Sequence, residues 1–168
     1  MLGLSVLAVA SPWASHPRLL WNTSPSVPVG LYWIADAAPT TGELAVIRLP
    51  DALRTLGAAR GYLGLTALLI KPVATGLGDV VCRHGATLTI NGKPAADARM
   101  ADERGRPLLH WSGCTTLAAG QVFVLSAAPD SFDGRYFGAI DRSQVLGAAR
   151  PVWVNQHDGP SPRQRGPP

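Results

Sequence analysis

Lysine is rare in this 168-residue chain, which contains only Lys71 and Lys93. Lys93 follows an Asn-Gly pair typical of a tight hairpin, and we expect it to be solvated. Lys71 lies inside the apolar run at residues 65–74 (LTALLIKPVA). Burial lowers the pKa of lysine, and a neutral lysine can take a proton from a serine hydroxyl. Lys71 is therefore a candidate general base, and a snorkelling or ion-paired lysine is the alternative.

A proline-flanked loop supplies the candidate nucleophile. Ser26 lies between Pro25 and Pro28 within residues 21–30 (WNTSPSVPVG). Proline has no backbone N–H, so this segment cannot join a central sheet and would present Ser26 from a stiff loop. Ser24 in the same loop is a rival nucleophile, and an ordinary Ser-Pro loop without chemistry is the simpler interpretation.

Other catalytic designs have little support in the sequence. A Ser-His-Asp triad is the competing design. The four histidines lie in no catalytic signature, and the chain lacks the G-x-S-x-G nucleophile elbow. The phosphate-binding, dinucleotide-binding and H-E-x-x-H zinc motifs are also missing from the sequence. We therefore expect no cofactor and no metal.

Two cysteines, Cys82 and Cys114, lie in separate strand-like segments. They have neither C-x-x-C spacing nor a neighbouring His/Cys cluster in the sequence, so a metal site is not indicated. A disulfide, which would require an oxidising compartment, and a pair of free buried thiols both remain open from these residues alone.

The composition favours a single β-rich domain. Hydrophobic residues make up 46% of the chain and charged residues 15%, with 18 glycines and 15 prolines. So many chain breakers favour short strands and turns over a helix bundle. The net charge is +4, but the arginines are scattered, which argues against nucleic-acid binding. Attraction to an anionic membrane surface accounts for the charge at least as well.

The predicted elements must position Lys71 and Ser26. One short helix is expected at about residues 51–60, with Asp51 as its N-cap. Residues 95–106 are expected to form an irregular surface excursion, and residues 129–138 a loop rich in Asp and Gly. Strands are predicted at residues 31–35, 43–49, 65–74, 79–84, 86–90, 121–126 and 145–153.

Both chain ends differ in composition from the middle. Residues 1–10 (MLGLSVLAVA) are apolar and uncharged, yet shorter than the roughly 20 residues that span a bilayer. They allow three interpretations: a truncated membrane anchor, which we favour, a weak signal segment, or an apolar first element. We therefore divide the chain into an apolar segment (1–20), a catalytic domain (21–154) and a disordered tail (155–168).

Three segments in order resemble the TraF-type conjugative-transfer signal peptidases, relatives of the type I signal peptidases. Together they cover about residues 21–153. Pro72 and Gly134 depart from the arginine and serine that are frequent at these places in the family. The segments are residues 22–32 (NTSPSVPVGLY), residues 69–74 (LIKPVA) followed by 78–82 (GDVVC), and residues 130–138 (DSFDGRYFG).

The resemblance implies roles for particular residues. It makes Ser26 the acylating nucleophile and Lys71 its base. Asp133 becomes an acidic residue that supports the site, with Arg135 as its structural partner. It also implies that the two cysteines form a disulfide.

The resemblance further implies a mainly β fold of twisted antiparallel sheets, and a serine endopeptidase on the periplasmic face of the inner membrane. Its expected partners are a pilin or another exported precursor and the membrane surface. The alternatives are a non-catalytic exported assembly module on the same scaffold and a general signal peptidase I. A LexA-type self-cleaving repressor is disfavoured, because about 25 proline-containing residues before the serine cannot supply a helix-turn-helix.

Overall fold

The computed structural model describes residues 18–155. Within this range two helices are present, α1 (Asp51–Ala59) and the one-turn α2 (Gly134–Phe137), and a 3-10 turn spans Arg142–Gln144. The strands are β1 (Leu19–Asn22), β2 (Val29–Ala35), β3 (Leu44–Ile47), β4 (Leu69–Thr75), β5 (Val80–His84), β6 (Thr87–Ile90), β7 (Lys93–Asp97), β8 (Gly113–Thr116), β9 (Gln121–Val124), β10 (Ile140–Asp141) and β11 (Val145–Asn155).

The described strands form two antiparallel sheets. Seven strands pair in the order β1-β2-β11-β3-β4-β9-β10, and four pair in the order β7-β6-β5-β8. The predicted fold class, mainly β with antiparallel sheets and one short helix, is confirmed. The additional helical turn α2 lies within residues 129–138, where the sequence predicted only a loop.

Helix α1 occupies the predicted position but begins differently. Its N-cap is Pro50, which makes no side-chain capping bond, and Asp51 is the first helical residue. The expected capping by Asp51 is therefore wrong, because its carboxylate lies one position too late and pairs with Arg54 instead. On the core side, Leu53 packs against a buried apolar cluster that includes Leu49.

Strand β4 runs through the centre of the larger sheet. It pairs with β3 from Leu69 to Pro72 and with β9 further along. The predicted strand at residues 65–74 begins too early, since Leu65 lies outside β4 and is exposed. Lys71 occupies a buried position in this strand, between the clusters that contain Ile70 and Val73.

A hairpin turn and a disulfide connect strands of the smaller sheet. Asn91 and Gly92 have φ values of 51° and 74°, as the predicted type I′ turn requires. The disulfide joins Cys82 of β5 to Cys114 of β8, which confirms the pairing that the resemblance implied. Residues 95–97 belong to β7, so the predicted irregular excursion is shorter than expected.

The chain-end predictions fall mostly outside the described residues, which exclude 1–17 and 156–168. Asn155, assigned above to the tail, is the last residue of β11. Within residues 18–155 no helix has the length and apolar character needed to cross a bilayer.

Candidate active site

Two of the predicted site residues meet directly. Ser26 lies in the loop between β1 and β2, and Lys71 lies in β4, 45 residues later. Lys71 Nζ is 2.7 Å from Ser26 Oγ. The two residues are only 4% and 3% exposed, so their hydroxyl and amine face each other with little access for water.

The environment of Lys71 favours its neutral form. Burial lowers the pKa of Lys71 to about 8, while the Asp133 carboxylate acts to raise it and the Arg135 guanidinium to lower it. Desolvation disfavours the ammonium because an apolar surround cannot replace the water that solvates the charge. Near neutral pH a useful fraction of Lys71 is therefore an amine with a free lone pair.

Asn22 holds the loop that carries Ser26. Its Nδ2 donates to the carbonyl oxygens of Ser24, Val27 and Pro28 at 2.8, 3.1 and 3.1 Å. The Tyr32 hydroxyl donates to the Pro28 carbonyl at 2.7 Å. Because the backbone is tied at several points, this loop is fixed before any substrate arrives.

Ser24, the rival nucleophile, lies beside Ser26 but not against Lys71 in the contacts of the described chain. Its Oγ is 3.1 Å from Ser26 Oγ and accepts from the Ser26 backbone N–H at 3.4 Å. The Ser26 N–H therefore has the Ser24 hydroxyl oxygen as its acceptor in this structure, and the Ser24 hydroxyl is a possible donor beside the nucleophile.

Ser131 is a site residue that the sequence reasoning missed. Its Oγ accepts from Lys71 Nζ at 2.9 Å, and the side chain is buried. The amine is therefore held between Ser26 and Ser131. Ser131 lies next to Asp130 in the third sequence segment, but nothing in the local sequence distinguishes it from an ordinary loop serine.

Asp133 and Arg135 form a fully buried ion pair beneath the site. Arg135 Nε lies 2.8 Å from Asp133 Oδ1, and the same oxygen accepts from the Arg135 backbone N–H, which caps α2. Gly134 lies between them, where a Cβ atom would come within 2.7 Å of the Val124 carbonyl oxygen. The departure to glycine at this position is therefore required by the packing of this chain.

Ser126 connects this ion pair to the nucleophile. Its backbone N–H donates to Asp133 Oδ2 at 2.9 Å, and its hydroxyl donates to the Ser26 carbonyl. The sequence identified Ser126 only as the end of a strand. The Asp133–Arg135 pair thus supports the Ser26 backbone through Ser126.

A groove of about 870 Å³ opens beside Ser26. Its lining includes the apolar side chains Leu20, Leu68, Ile70 and Phe132. Polar contacts join other lining segments: the Tyr62 hydroxyl donates to Asp102 at 2.7 Å, and Arg106 Nη2 to the Arg60 carbonyl at 2.9 Å.

One further cluster of chemistry-bearing side chains occurs in the described residues, on the smaller sheet. Cys82, His84 and Cys114 have their ligand atoms within 4.8 Å of one another. The two sulfurs are bonded to each other, so in this state they offer no thiolate to a metal.

Comparisons with known proteins identify a family and several relatives. The family described as "Signal peptidase, peptidase S26" matches residues 1–154. A plasmid transfer protein TraF of Escherichia coli is 36% identical over 161 residues, covering 89% of this chain and 90% of the relative. A probable conjugal transfer protein TraF of Sinorhizobium fredii is 33% identical over 170 residues, covering 90% and 88%.

Among solved structures, a signal peptidase I from Enterococcus faecalis aligns with 68% of this chain and 98% of its own. The aligned sequences are 19% identical, and the TM-score is 0.39.

Proposed function

The chain belongs to the signal peptidase family, peptidase S26, and on that premise we propose that it is a serine endopeptidase with Ser26 as nucleophile and Lys71 as general base. The family predicted from the three sequence segments is confirmed by this membership and by the TraF relatives. The observation that carries the proposal is the 2.7 Å contact between Lys71 Nζ and Ser26 Oγ, both buried. Within hydrogen-bond reach, an amine whose pKa is near 8 can act as the base.

In the acylation step, neutral Lys71 takes the hydroxyl proton while Ser26 Oγ attacks the scissile carbonyl carbon. The resulting ammonium then gives that proton to the departing amine as the C–N bond breaks. The product is an ester between Ser26 and the new carboxyl end of the substrate. Lys71 then takes a proton from a water molecule as that water attacks the ester carbonyl carbon. The ammonium returns the proton to Ser26 Oγ as the ester C–O bond breaks, which releases the acid and restores Ser26.

The oxyanion of the tetrahedral intermediate needs donors that are already in place. The Ser24 hydroxyl lies beside the nucleophile as one such donor. The Ser26 backbone N–H is proposed as the second, and it exchanges its long 3.4 Å contact with Ser24 Oγ for the oxyanion when that forms. Each such donor is worth about 3 kcal/mol of transition-state stabilisation. In this proposal Ser24 serves the oxyanion, and Ser131 fixes the rotamer of the Lys71 amine.

The substrate is proposed to bind as an extended strand. Strand β1 is the outermost strand of its sheet, and β4 pairs with β9 only at Val73 and Thr75. The backbone of β4 near Leu69 and Ile70 therefore has one side without a strand partner among the described residues. A peptide laid between these edges would gain main-chain hydrogen bonds. An exported precursor such as a pilin, processed for conjugative transfer, is the substrate class we propose.

An aromatic face next to the groove is proposed to rest on the periplasmic surface of the inner membrane. Trp21, Trp33 and Trp153 are 53%, 43% and 63% exposed. The rings of Trp21 and Trp153 stack at 5.7 Å, and Leu31 lies between these residues in the register of β1, β2 and β11. Tryptophan is enriched where protein meets the lipid headgroups. The apolar residues 1–10 precede β1 in the chain, which fits the same orientation.

Vesicle sedimentation tests this face. Wild-type protein is expected to sediment with anionic phospholipid vesicles, and a Trp21→Ser, Trp153→Ser variant to remain largely in the supernatant. Trp111→Phe is the matched control, because that ring packs on Phe123 away from the aromatic face. Equal sedimentation of wild type and the double variant would remove the membrane from the proposal.

Cleavage of a precursor tests the enzymatic proposal. Purified protein is incubated with an exported precursor from a conjugative system, and the products are identified by mass spectrometry. We expect wild type and Lys93→Met to give one defined cut, and Ser26→Ala to give none. If Ser26→Ala processed the precursor as wild type does, the non-catalytic assembly module would become the better interpretation.

A further inference from the structure

Arg83 is a buried cation that the proposed chemistry does not use. It lies on β5 between Cys82 and His84 and is 0% exposed. Among the described residues no carboxylate contacts its guanidinium, and burial lowers its pKa. Arginine nonetheless remains charged in proteins, and burying a charge without a counter-ion costs free energy. The contacts that Arg83 makes must therefore explain why this charged side chain is buried.

The contacts of Arg83 join three separate segments. Its Nε donates to the Gly85 carbonyl at 3.0 Å, and its Nη1 donates to the Leu109 carbonyl at 3.4 Å and to the Arg135 carbonyl. The guanidinium carbon also lies 6.0 Å from the centre of the Tyr136 ring. Arg135 and Tyr136 belong to α2, whereas Gly85 follows β5 in the smaller sheet. Arg83 therefore fastens α2 to the smaller sheet.

A short chain of contacts connects α2, the helix that Arg83 holds, to the nucleophile. The Arg135 side chain pairs with Asp133 and donates to the Ser126 carbonyl. The Ser126 hydroxyl in turn donates to the Ser26 carbonyl. Asp133 also lies two residues after Ser131, which accepts from Lys71. A displacement of α2 would therefore reach both the serine and the lysine.

We infer that Arg83 is a positioning residue for the Ser26–Lys71 pair, which it serves by holding α2 through the Arg135 carbonyl. This inference rests on the proposed function. Helix α2 is a single turn, too short to be stable without tertiary contacts. Its position therefore depends on the groups that hold it. They include Arg83 at the Arg135 carbonyl, Trp111 Nε1 at the Gly134 carbonyl (3.0 Å), and the Asp97 carbonyl of β7, which accepts from Arg135 Nη1 at 3.4 Å. Arg83 is the buried charged donor among them.

Loss of the Arg83 guanidinium has a specific expected signature. The groove walls keep their residues, so KM changes little, while kcat falls by about tenfold to a hundredfold because the reacting groups are misplaced. Loosening α2 also admits water to Lys71, whose pKa is lowered mainly by burial, with Asp133 and Arg135 as the charged groups acting on it. The acid limb of the pH–rate profile is then expected to move to higher pH.

The test compares Arg83→Met with Leu117→Ala. Leu117 is 1% exposed in the core cluster with Phe123 and is not a cross-strand partner of Arg83, so its loss destabilises the same core without removing a contact to Arg135. Unfolding in urea gives the stability of each variant, and kcat, KM and the pH profile are measured on the folded protein. We expect Arg83→Met to show the signature above, Leu117→Ala to keep the wild-type kcat and acid limb, and Arg83→Lys to recover part of kcat.

Two outcomes would overturn the inference: a wild-type kcat and acid limb in Arg83→Met, or the same changes in Leu117→Ala. If Arg83→Met does not fold, Arg83→Gln, which lacks the Nη1 donor to the Arg135 carbonyl, is tested with the same readouts, and a wild-type kcat in that variant overturns the inference as well. Failure of the proposed function is distinguishable, because it would appear as cleavage by Ser26→Ala or no cleavage by wild type.

Discussion

The two sheets differ in the side chains that they bury and in what stabilises them. The larger sheet and the loops beside it bury a set of polar side chains around one point: Asn22, Ser26, Lys71, Ser126, Ser131 and Asp133. In the smaller sheet β7 and β8 are largely exposed, and a disulfide joins β5 to β8. The buried side chains of its strands are apolar except for Arg83. One region thus carries the reactive groups at a cost in stability, and the other gains stability from a covalent bond.

The buried polar cluster is explained by function, and the disulfide by stability. Burying an amine beside a hydroxyl stabilises the fold less than a well-packed apolar group would, so the arrangement is explained by chemistry. A disulfide constrains the unfolded chain and requires nothing of the active site. Changes in the buried polar cluster and in the residues that position it, including Arg83, are therefore expected to alter activity, and loss of the disulfide to alter stability.

The largest expected effect comes from Lys71→Met. Loss of the base should lower kcat/KM by about a thousandfold or more. The same change should raise the free energy of unfolding at neutral pH by about 1 to 4 kcal/mol, because an apolar side chain replaces a buried amine. Peptide-cleavage kinetics and urea unfolding measure the two effects, with Lys93→Met as the exposed control. Retained activity together with lower stability would reverse the comparison.

The pH dependence of kcat/KM and that of the free energy of unfolding should both report the titration of Lys71. Since the pKa of Lys71 is about 8, kcat/KM should rise with pH and level off above that value. In the unfolded chain its pKa returns to 10.5, so the unfolded state binds more protons between these two values. The contribution of Lys71 to stability is therefore least favourable below pH 8 and improves by about 3 kcal/mol as pH rises towards 10.5. Subtracting the unfolding free energies of Lys71→Met isolates this slope, and a flat difference would contradict the buried amine.

The smallest effect on activity is expected from removal of the disulfide. Replacing both Cys82 and Cys114 by serine should lower the free energy of unfolding by about 3 to 4 kcal/mol, given the 32-residue separation. Below the unfolding transition kcat should stay within about threefold of wild type, since Arg83 still holds α2. A large loss of kcat in fully folded protein would show that the disulfide also positions the active site.

The sequence predicted features that depend on neighbouring residues. The Asn91-Gly92 turn follows from local backbone preferences. Helix α1 follows from local propensity, although Pro50 rather than Asp51 occupies its N-cap position. The Cys82–Cys114 pairing needed the family resemblance, because spacing alone left free thiols open.

The sequence missed features that depend on topology. Ser131 lies 60 residues from Lys71, Ser126 lies 100 residues from Ser26, and Arg83 lies 52 residues from Arg135. No local period marks such pairs, because only the pairing of β4 with β9 and the placement of α2 bring them together. The roles of Ser26 and Lys71 remain predictions that kinetics must test.

Trapping the acyl-enzyme tests whether Ser26 becomes acylated with Lys71 as its base. Wild-type protein is mixed with a peptide substrate, quenched in acid within the first turnover, digested and mapped by mass spectrometry. We predict an ester of the substrate's N-terminal fragment on Ser26, absent from Ser26→Ala and strongly reduced in Lys71→Met. Cleaved substrate without an adduct on Ser26, or an adduct on Ser24, would contradict the account.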